Sequence, residues 1–185
     1  MKRIAIAWLL LAACHEPPAP SASPPERFGL GRAATSAEIA ALDDDVHPDG
    51  SGLPSGRGTV ADGAPIYAAR CASCHGATGR EGPVGVLVGG GQPLGFRVGW
   101  RPGHATPPTV GNLYPYATTL YDYIHRTMPW AQPGSLAPDE VYSLVAWLLH
   151  QNDIVPASVV LDATTLPKIE MPARSRFTEA SPRDR

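Results

Sequence analysis

The sequence has no long run of basic residues, no apolar run long enough to cross a bilayer, and few aromatic or charged residues. Its net charge of -2 provides no electrostatic footprint for nucleic acid, which excludes that class of partner. Aromatic residues make up only 7% and charged residues 17% of the chain, whereas it contains 19 glycines and 21 prolines. Because glycine and proline favour turns, this composition predicts one domain with a few helices joined by ordered loops.

The N-terminus is typical of an export signal, since Lys2 and Arg3 precede an apolar run over residues 4–13. This run is too short for a membrane span, which needs ~20 residues. It ends in Leu-Ala-Ala before Cys14, an order that resembles a bacterial lipobox, in which the cysteine thiol receives a diacylglycerol. We expect a signal peptide over residues 1–13, a lipid anchor at Cys14 on the periplasmic side of a bacterial membrane, and a proline-rich tether over residues 14–26. The alternative is an ordinary cleaved signal with an incidental cysteine.

Local signals predict a few helices and no strand. The helices are expected to begin at Thr35 (a capping box with Glu38), at Asp62, at Thr119 and at Pro138. The last of these has the clearest apolar periodicity, carried by Val141, Leu144, Val145, Leu148 and Leu149. The chain beyond Asn152 has apolar residues without periodicity and is expected to form a tail that lies over the domain.

Two of the three cysteines form one motif, Cys71-Ala72-Ser73-Cys74-His75. This C-x-x-C-H spacing is typical of c-type haem attachment, in which two thiols bond covalently to the porphyrin and the adjacent imidazole binds iron. A redox dithiol would need a thioredoxin-like βαβ context, and a zinc site would need a second Cys/His pair at suitable spacing. Neither is present in the sequence, so we predict one covalent haem c.

The sixth iron ligand has several candidates. Met128 is preferred because it follows a helix, is held by Pro129 and precedes the long C-terminal helix. Met171 lies in a second Met-Pro pair and is its chief competitor, and the histidine alternatives are His47, His104, His125 and His150. A methionine ligand would favour electron transfer over ligand chemistry, because both axial positions would be filled.

Three further residues are candidates for the surroundings of the haem. The carbonyl of Pro83 could accept the second ring N–H of His75, although Pro83 could equally be a plain turn proline. Arg97 and Trp100 could donate hydrogen bonds to haem propionates, or they could be surface loop residues.

Longer sequence motifs carry a resemblance to class I cytochrome c and, more narrowly, to the cytochrome c subunit of Sox-type sulfane and sulfite dehydrogenases. These motifs are residues 28–32 (FGLGR), 48–54 (PDGSGLP), 71–76, 114–120 (YPYATTL), 123–124, 126–129 (RTMP), 140–142, 166–168 and 171–172. The resemblance implies an all-α class I cytochrome c fold, with three to four short helices around a covalent haem and with loop-rich extensions. The expected domain covers residues 59–152, between an N-terminal extension over 27–58 and a C-terminal extension over 153–185.

The resemblance also implies a function. In that family the cytochrome accepts electrons from a molybdenum-cofactor subunit that oxidises sulfite or sulfane sulfur, and passes them to a downstream acceptor. His75 and Met128 match the family's axial ligands. The chain departs from the family at Ala137-Pro138, where a hydroxyl N-cap is common, and in its lipid anchor. No molybdenum or flavin motif is present, so we expect an electron-transfer subunit and not an enzyme acting alone.

Two other functions remain open at this point. A stand-alone lipoprotein cytochrome would carry electrons to a terminal oxidase or another respiratory acceptor. A haem sensor or peroxidase would keep the sixth position open, which requires that Met128 does not bind iron.

Overall fold

The structure, a computed structural model, describes residues 30–89 and 107–178 and is mostly helical. The elements, in chain order, are α1 (Ser36–Ala40), β1 (Arg57–Thr59), α2 (Val60–Arg70), α3 (Ala72–His75), α4 (Val110–Leu113), α5 (Ala117–Thr127), α6 (Pro138–Gln151) and β2 (Val160–Asp162). Two short 3-10 turns follow, at Leu166–Lys168 and Arg174–Arg176. The predicted helical fold class is confirmed. No helix in the two described ranges is both long and apolar enough to cross a membrane.

The centre of the fold is the contact between α2 and α6. Gly63 permits this contact, because a methyl group there would collide with the Ser143 carbonyl and lie 2.8 Å from the Trp147 Cβ. One turn later the rings of Tyr67 and Trp147 stack, with centroids 3.9 Å apart and planes inclined by 23°. Every residue from Val141 to Leu149 is buried, so α6 is the core helix against which α2 is positioned. This contact fixes the end of α2, where the cysteine motif begins.

Two helix starts were predicted correctly. At α1, the Thr35 hydroxyl accepts a hydrogen bond from the Glu38 N–H at 3.2 Å, and the Glu38 carboxylate accepts from the Thr35 N–H at 2.8 Å. Helix α6 begins at Pro138, as expected. Ala137 has no hydroxyl, but its N–H donates to the Glu140 carboxylate at 2.8 Å, which supplies half of a capping box.

Two other starts lie earlier than predicted. Helix α2 begins at Val60, because the Thr59 hydroxyl, and not Asp62, accepts the N-cap hydrogen bond, here from the Asp62 N–H at 3.2 Å. Helix α5 begins at Ala117 instead of Thr119. Ala117 is buried, so packing supports this first turn although its N-cap residue makes no side-chain hydrogen bond.

A small antiparallel sheet was not predicted. Strands β1 and β2 pair with Gly58 opposite Leu161. Leu161 is fully buried, and Gly58 lies so close to the backbone of Ser143 that a side chain would collide with it. Three-residue strands are too short to show a reliable alternation of apolar and polar residues, which is why they are not recognisable from sequence.

The two extensions pack over α5. From the N-terminal side, the Val46 N–H donates to the Asp122 carboxylate at 3.0 Å, and the Pro48 carbonyl accepts from the Thr118 hydroxyl at 3.3 Å. From the C-terminal side, Leu166 and Met171 are buried in the core. The expectation of a tail that lies over the domain is confirmed.

Candidate haem-attachment site

The cysteine motif sits in a tight helical turn at the end of α2. Cys71 is the C-cap of α2, and its N–H donates to the Tyr67 carbonyl at 2.9 Å. The N–H groups of Cys74 and His75 both donate to the Cys71 carbonyl, at 3.1 and 3.0 Å. The two thiols are free; Cys71 is half-buried and Cys74 is exposed. The structure therefore brings Cys71, Cys74 and His75 together on one short element.

The His75 ring is held by a backbone carbonyl, but not by the one predicted. Its Nδ1 lies 3.0 Å from the carbonyl oxygen of Gly85, so the prediction of Pro83 is wrong by two residues. The reason is the path of the chain: the Val84 N–H donates to the Cys74 carbonyl at 3.0 Å, which brings the following carbonyl to the imidazole. Because a carbonyl can only accept, Nδ1 carries the proton and the Nε2 lone pair is left for iron.

The same passage of chain depends on a glycine. A side chain at Gly82 would collide with the carbonyl of Cys74 and the backbone of His75. Only glycine allows the returning chain to lie this close to α3. Neither Gly82 nor Gly85 was identified as a site residue from sequence.

The turn after His75 is fixed by two further side chains. The Tyr67 hydroxyl donates to the Gly76 carbonyl at 2.9 Å, and burial raises the pKa of Tyr67 to about 12. The Glu81 carboxylate accepts from the Thr78 hydroxyl at 2.6 Å and from the Thr78 N–H at 3.0 Å. These hydrogen bonds lower the pKa of Glu81 to about 2.

The candidate axial methionines lie in different places. Met128 is the C-cap of α5, is half-buried and packs against the edge of the core. Met171 is 4% exposed and belongs to the core itself. Among the histidine alternatives, His150 Nδ1 lies 3.0 Å from the Val155 carbonyl, which gives this ring a structural partner. Met128 as the sixth ligand stays a prediction.

Two buried asparagines, missed from sequence, each hold one of the chain stretches that flank residues 90–106. Asn152, which is 2% exposed, accepts from the Gly89 N–H at 3.2 Å and donates to the Leu87 carbonyl at 3.2 Å. Asn112 donates to the Pro107 carbonyl at 3.1 Å. An isolated asparagine at a helix end carries no distinctive motif, so only the fold reveals this role.

Several predicted residues lie outside the described residues, namely Arg97, Trp100, His104 and the lipidation candidate Cys14. Their assignments stay predictions. In the described ranges, no group of three or more His, Cys, Asp and Glu side chains is placed to hold a metal ion.

The donor set of this site fits haem c. It offers two free thiols three residues apart and an imidazole whose Nε2 lone pair faces no protein hydrogen-bond partner in the described part of the chain. Cys71 and Ala72 of the motif are themselves partly buried against the apolar core, so a group bonded to the Cys71 thiol would lie beside apolar surface. This combination is the chemistry that covalent haem attachment requires.

The comparisons with known proteins agree with the fold and the motif. Residues 58–148 match the family described as cytochrome c oxidase, cbb3-type, subunit III. A chain of the crystal structure of the sulfane dehydrogenase SoxCD from Paracoccus pantotrophus is 38% identical, with a TM-score of 0.68. That similarity covers 85% of this chain and 74% of the SoxCD chain. A search of curated proteins gives no match.

The chain therefore belongs to the class I cytochrome c family, whose members carry covalent haem c and transfer electrons. Within this family it is similar to the cytochrome of sulfane dehydrogenase SoxCD, as the sequence motifs indicated. The family assigns electron transfer, and not catalysis by this chain alone.

Proposed function

We propose that this chain is the single-haem cytochrome subunit of a molybdenum-dependent sulfite or sulfane dehydrogenase in sulfur oxidation, and that it passes electrons to a downstream acceptor. One observation carries the proposal: the similarity to the SoxCD chain covers 85% of the chain, whereas the general family match covers only residues 58–148. Residues 58–185 make up less than three quarters of the sequence, so a similarity that covers 85% must also include residues before 58. The resemblance therefore includes extensions that a generic cytochrome lacks.

The residues of the site have distinct roles under this proposal. The thiols of Cys71 and Cys74 form the thioether bonds, and only one such motif exists in the sequence, which supports a single haem. His75 is the proximal ligand, oriented by its hydrogen bond to Gly85. Met128 is proposed as the distal ligand. When bound, a haem c with His and Met ligands takes up and releases one electron at a raised potential.

Predictions outside the described residues belong to the same proposal. Arg97 and Trp100 are proposed as donors to the propionates, and Cys14 as the site of a lipid anchor on the periplasmic side of a bacterial membrane. A Cys14→Ser variant tests the anchor, because it should move the cytochrome from the membrane fraction to the soluble fraction. Unchanged membrane association would contradict the anchor without affecting the haem site.

The partner is tested by purification from native membranes. A C-terminally tagged full chain, matured with haem, should copurify with a molybdenum-containing subunit, and added sulfite should reduce the haem. A Cys71→Ser/Cys74→Ser variant is the matched control, because it should lack covalent haem and give no absorbance change. Repeated purifications without molybdenum, combined with haem that sulfite does not reduce, would contradict the proposed partner.

A second candidate is a stand-alone lipoprotein cytochrome that delivers electrons to a terminal oxidase or another respiratory acceptor. The match of residues 58–148 to a family described as an oxidase subunit favours it. This candidate predicts reduction by general donors and a monomer free of molybdenum in the same purification.

A further inference from the structure

The N-terminal arm, defined here as residues 30–45, carries apolar side chains that have no partner in the described part of the chain. Leu30 is 89%, Ile39 57% and Leu42 82% exposed. No residue of α1 is buried against the rest of residues 30–89 and 107–178. Ile39 belongs to α1, and Leu42 lies in the turn that follows it, where its N–H donates to the Ile39 carbonyl at 3.0 Å.

The arm is nevertheless locally ordered. Glu38 closes the capping box with Thr35, and its carboxylate also forms an ion pair with Arg32. A five-residue helix without buried side chains is only marginally stable in water. Its conformation is therefore held by these hydrogen bonds and the ion pair, and not by packing against the rest of the described chain. Such pre-organisation lowers the entropic cost of binding a partner.

The arm is joined to the cytochrome domain at its end. Asp45 forms an ion pair with Arg126 at 3.0 Å, and Arg126 in turn pairs with Asp122 on α5. Residues before Asp45 therefore extend from a fixed point on the domain. An arm mounted in this way can be covered by another molecule without disturbing the core.

We propose that the N-terminal arm docks into an apolar groove with a basic rim on the molybdenum-cofactor subunit, with Leu30, Ile39 and Leu42 as its anchors. This inference rests on the proposed function. Of the four acidic residues in the arm, Glu38 pairs with Arg32 and Asp45 with Arg126, so the charges of Asp43 and Asp44 are left for a partner. A partner that covers this surface needs positive charge beside its apolar contacts, and an anionic lipid surface would be repelled.

The comparison with SoxCD supports a protein as the occupant. The similarity extends beyond residues 58–148 and so includes residues outside the general family match. The similar chain belongs to the sulfane dehydrogenase SoxCD, whose name joins two components, C and D. Helix-in-groove binding commonly uses apolar anchors three or four residues apart, which is the spacing of Ile39 and Leu42.

The test measures binding of full-length, haem-loaded cytochrome to the molybdenum-containing subunit copurified with it. Ile39→Asp and Leu42→Asp should each weaken the Kd at least about tenfold, as expected for anchor residues. Ala37→Asp is the matched control, because it adds the same charge to the same turn roughly 160° around the helix from Ile39. The haem spectrum and the Tm should be unchanged in all three variants.

A catalytic readout separates this inference from the proposed function. Sulfite-driven haem reduction by Ile39→Asp should reach the wild-type rate at saturating cytochrome but require about ten times more of it, because docking and not the haem is affected. Asp43→Asn/Asp44→Asn should reduce the salt dependence of association.

The outcomes are distinguishable. If the wild-type cytochrome binds the molybdenum subunit and Ile39→Asp and Leu42→Asp bind equally well, the docking inference is overturned and the proposed function stands. If no molybdenum subunit binds the wild-type cytochrome, both fall. The inference is also overturned if the variants keep that binding but lose affinity for phosphatidylethanolamine/phosphatidylglycerol vesicles, or lose self-association that the wild type shows.

Discussion

Two Met-Pro pairs occur in this chain, and their surroundings differ. Met128 ends α5, is half-buried, and lies on the segment that leads to α6. Met171 is 4% exposed and packs in the core with Leu166 and other buried residues. The same dipeptide can therefore offer a thioether to a ligand or fill a gap among apolar side chains. Burial, and not the motif, separates the two uses.

The strongest test of this comparison is Met128→Ala. If Met128 is the sixth ligand, the variant should lose the weak near-infrared Met-to-iron absorption band. Its potential should fall by on the order of 0.1 V or more, within the roughly 0.8 V that axial ligands span in haem proteins. Redox titration of the oxidised and reduced spectra measures both effects. A band retained in the variant would assign the ligand to Met171, and a low-spin wild type that already lacks the band would assign it to a histidine.

The reciprocal change, Met171→Ala, should affect folding and leave the haem spectrum unchanged. Removing a buried methionine side chain costs about 2–5 kcal/mol of unfolding free energy, because lost apolar contacts and a residual cavity add together. Guanidinium unfolding followed by circular dichroism measures the loss. A perturbed methionine band with normal stability would reverse the roles assigned to the two residues.

Asn152→Ala should have a smaller effect on stability. It leaves the partly buried Gly89 N–H without its side-chain acceptor, whereas the Leu87 carbonyl keeps the Val110 N–H as a donor, so we expect a loss of about 1 kcal/mol. Gln151→Ala, one residue earlier on the same helix, is the matched control and should stay within about 0.5 kcal/mol of wild type. Equal stability of the two variants would contradict the role of Asn152 in holding the chain at Leu87 and Gly89.

The smallest expected effect concerns pH. The pKa of Glu81 is lowered to about 2 in the fold from an ordinary value of 4.5, so its contribution to stability is present above about pH 4.5 and is lost as pH falls towards 2. Glu81→Gln should therefore flatten the decline of Tm over this interval, whereas Glu170→Gln, an exposed change in the C-terminal extension, should leave it as it is. An identical decline in wild type and Glu81→Gln would show that Glu81 does not contribute.

The sequence predicted those features that depend on residues near one another in the chain. The capping box at Thr35 and the start of α6 at Pro138 are local, and so is the turn that places Cys71 and Cys74 beside His75. These signals require no knowledge of the rest of the fold. The long motifs added the family, which the similarity to the SoxCD chain confirmed.

Features that depend on distant segments were missed. The acceptor of the His75 ring is Gly85 and not Pro83, because the path of the returning chain is decided by the close approach of Gly82 to α3. The sheet pairs residues about one hundred positions apart, and neither three-residue strand is recognisable alone. Asn152 acts on a segment that begins over sixty residues earlier.

The small sheet brings two distant points of the chain side by side. Strand β1 immediately precedes α2 and β2 follows α6, and paired strands lie about 4.8 Å apart, so the chain enters and leaves the domain at neighbouring points. The C-terminal extension therefore starts beside the end of the N-terminal one, and Leu166 and Met171 then carry it back into the core, so residues 57–162 alone would lack part of the packing that holds the domain together.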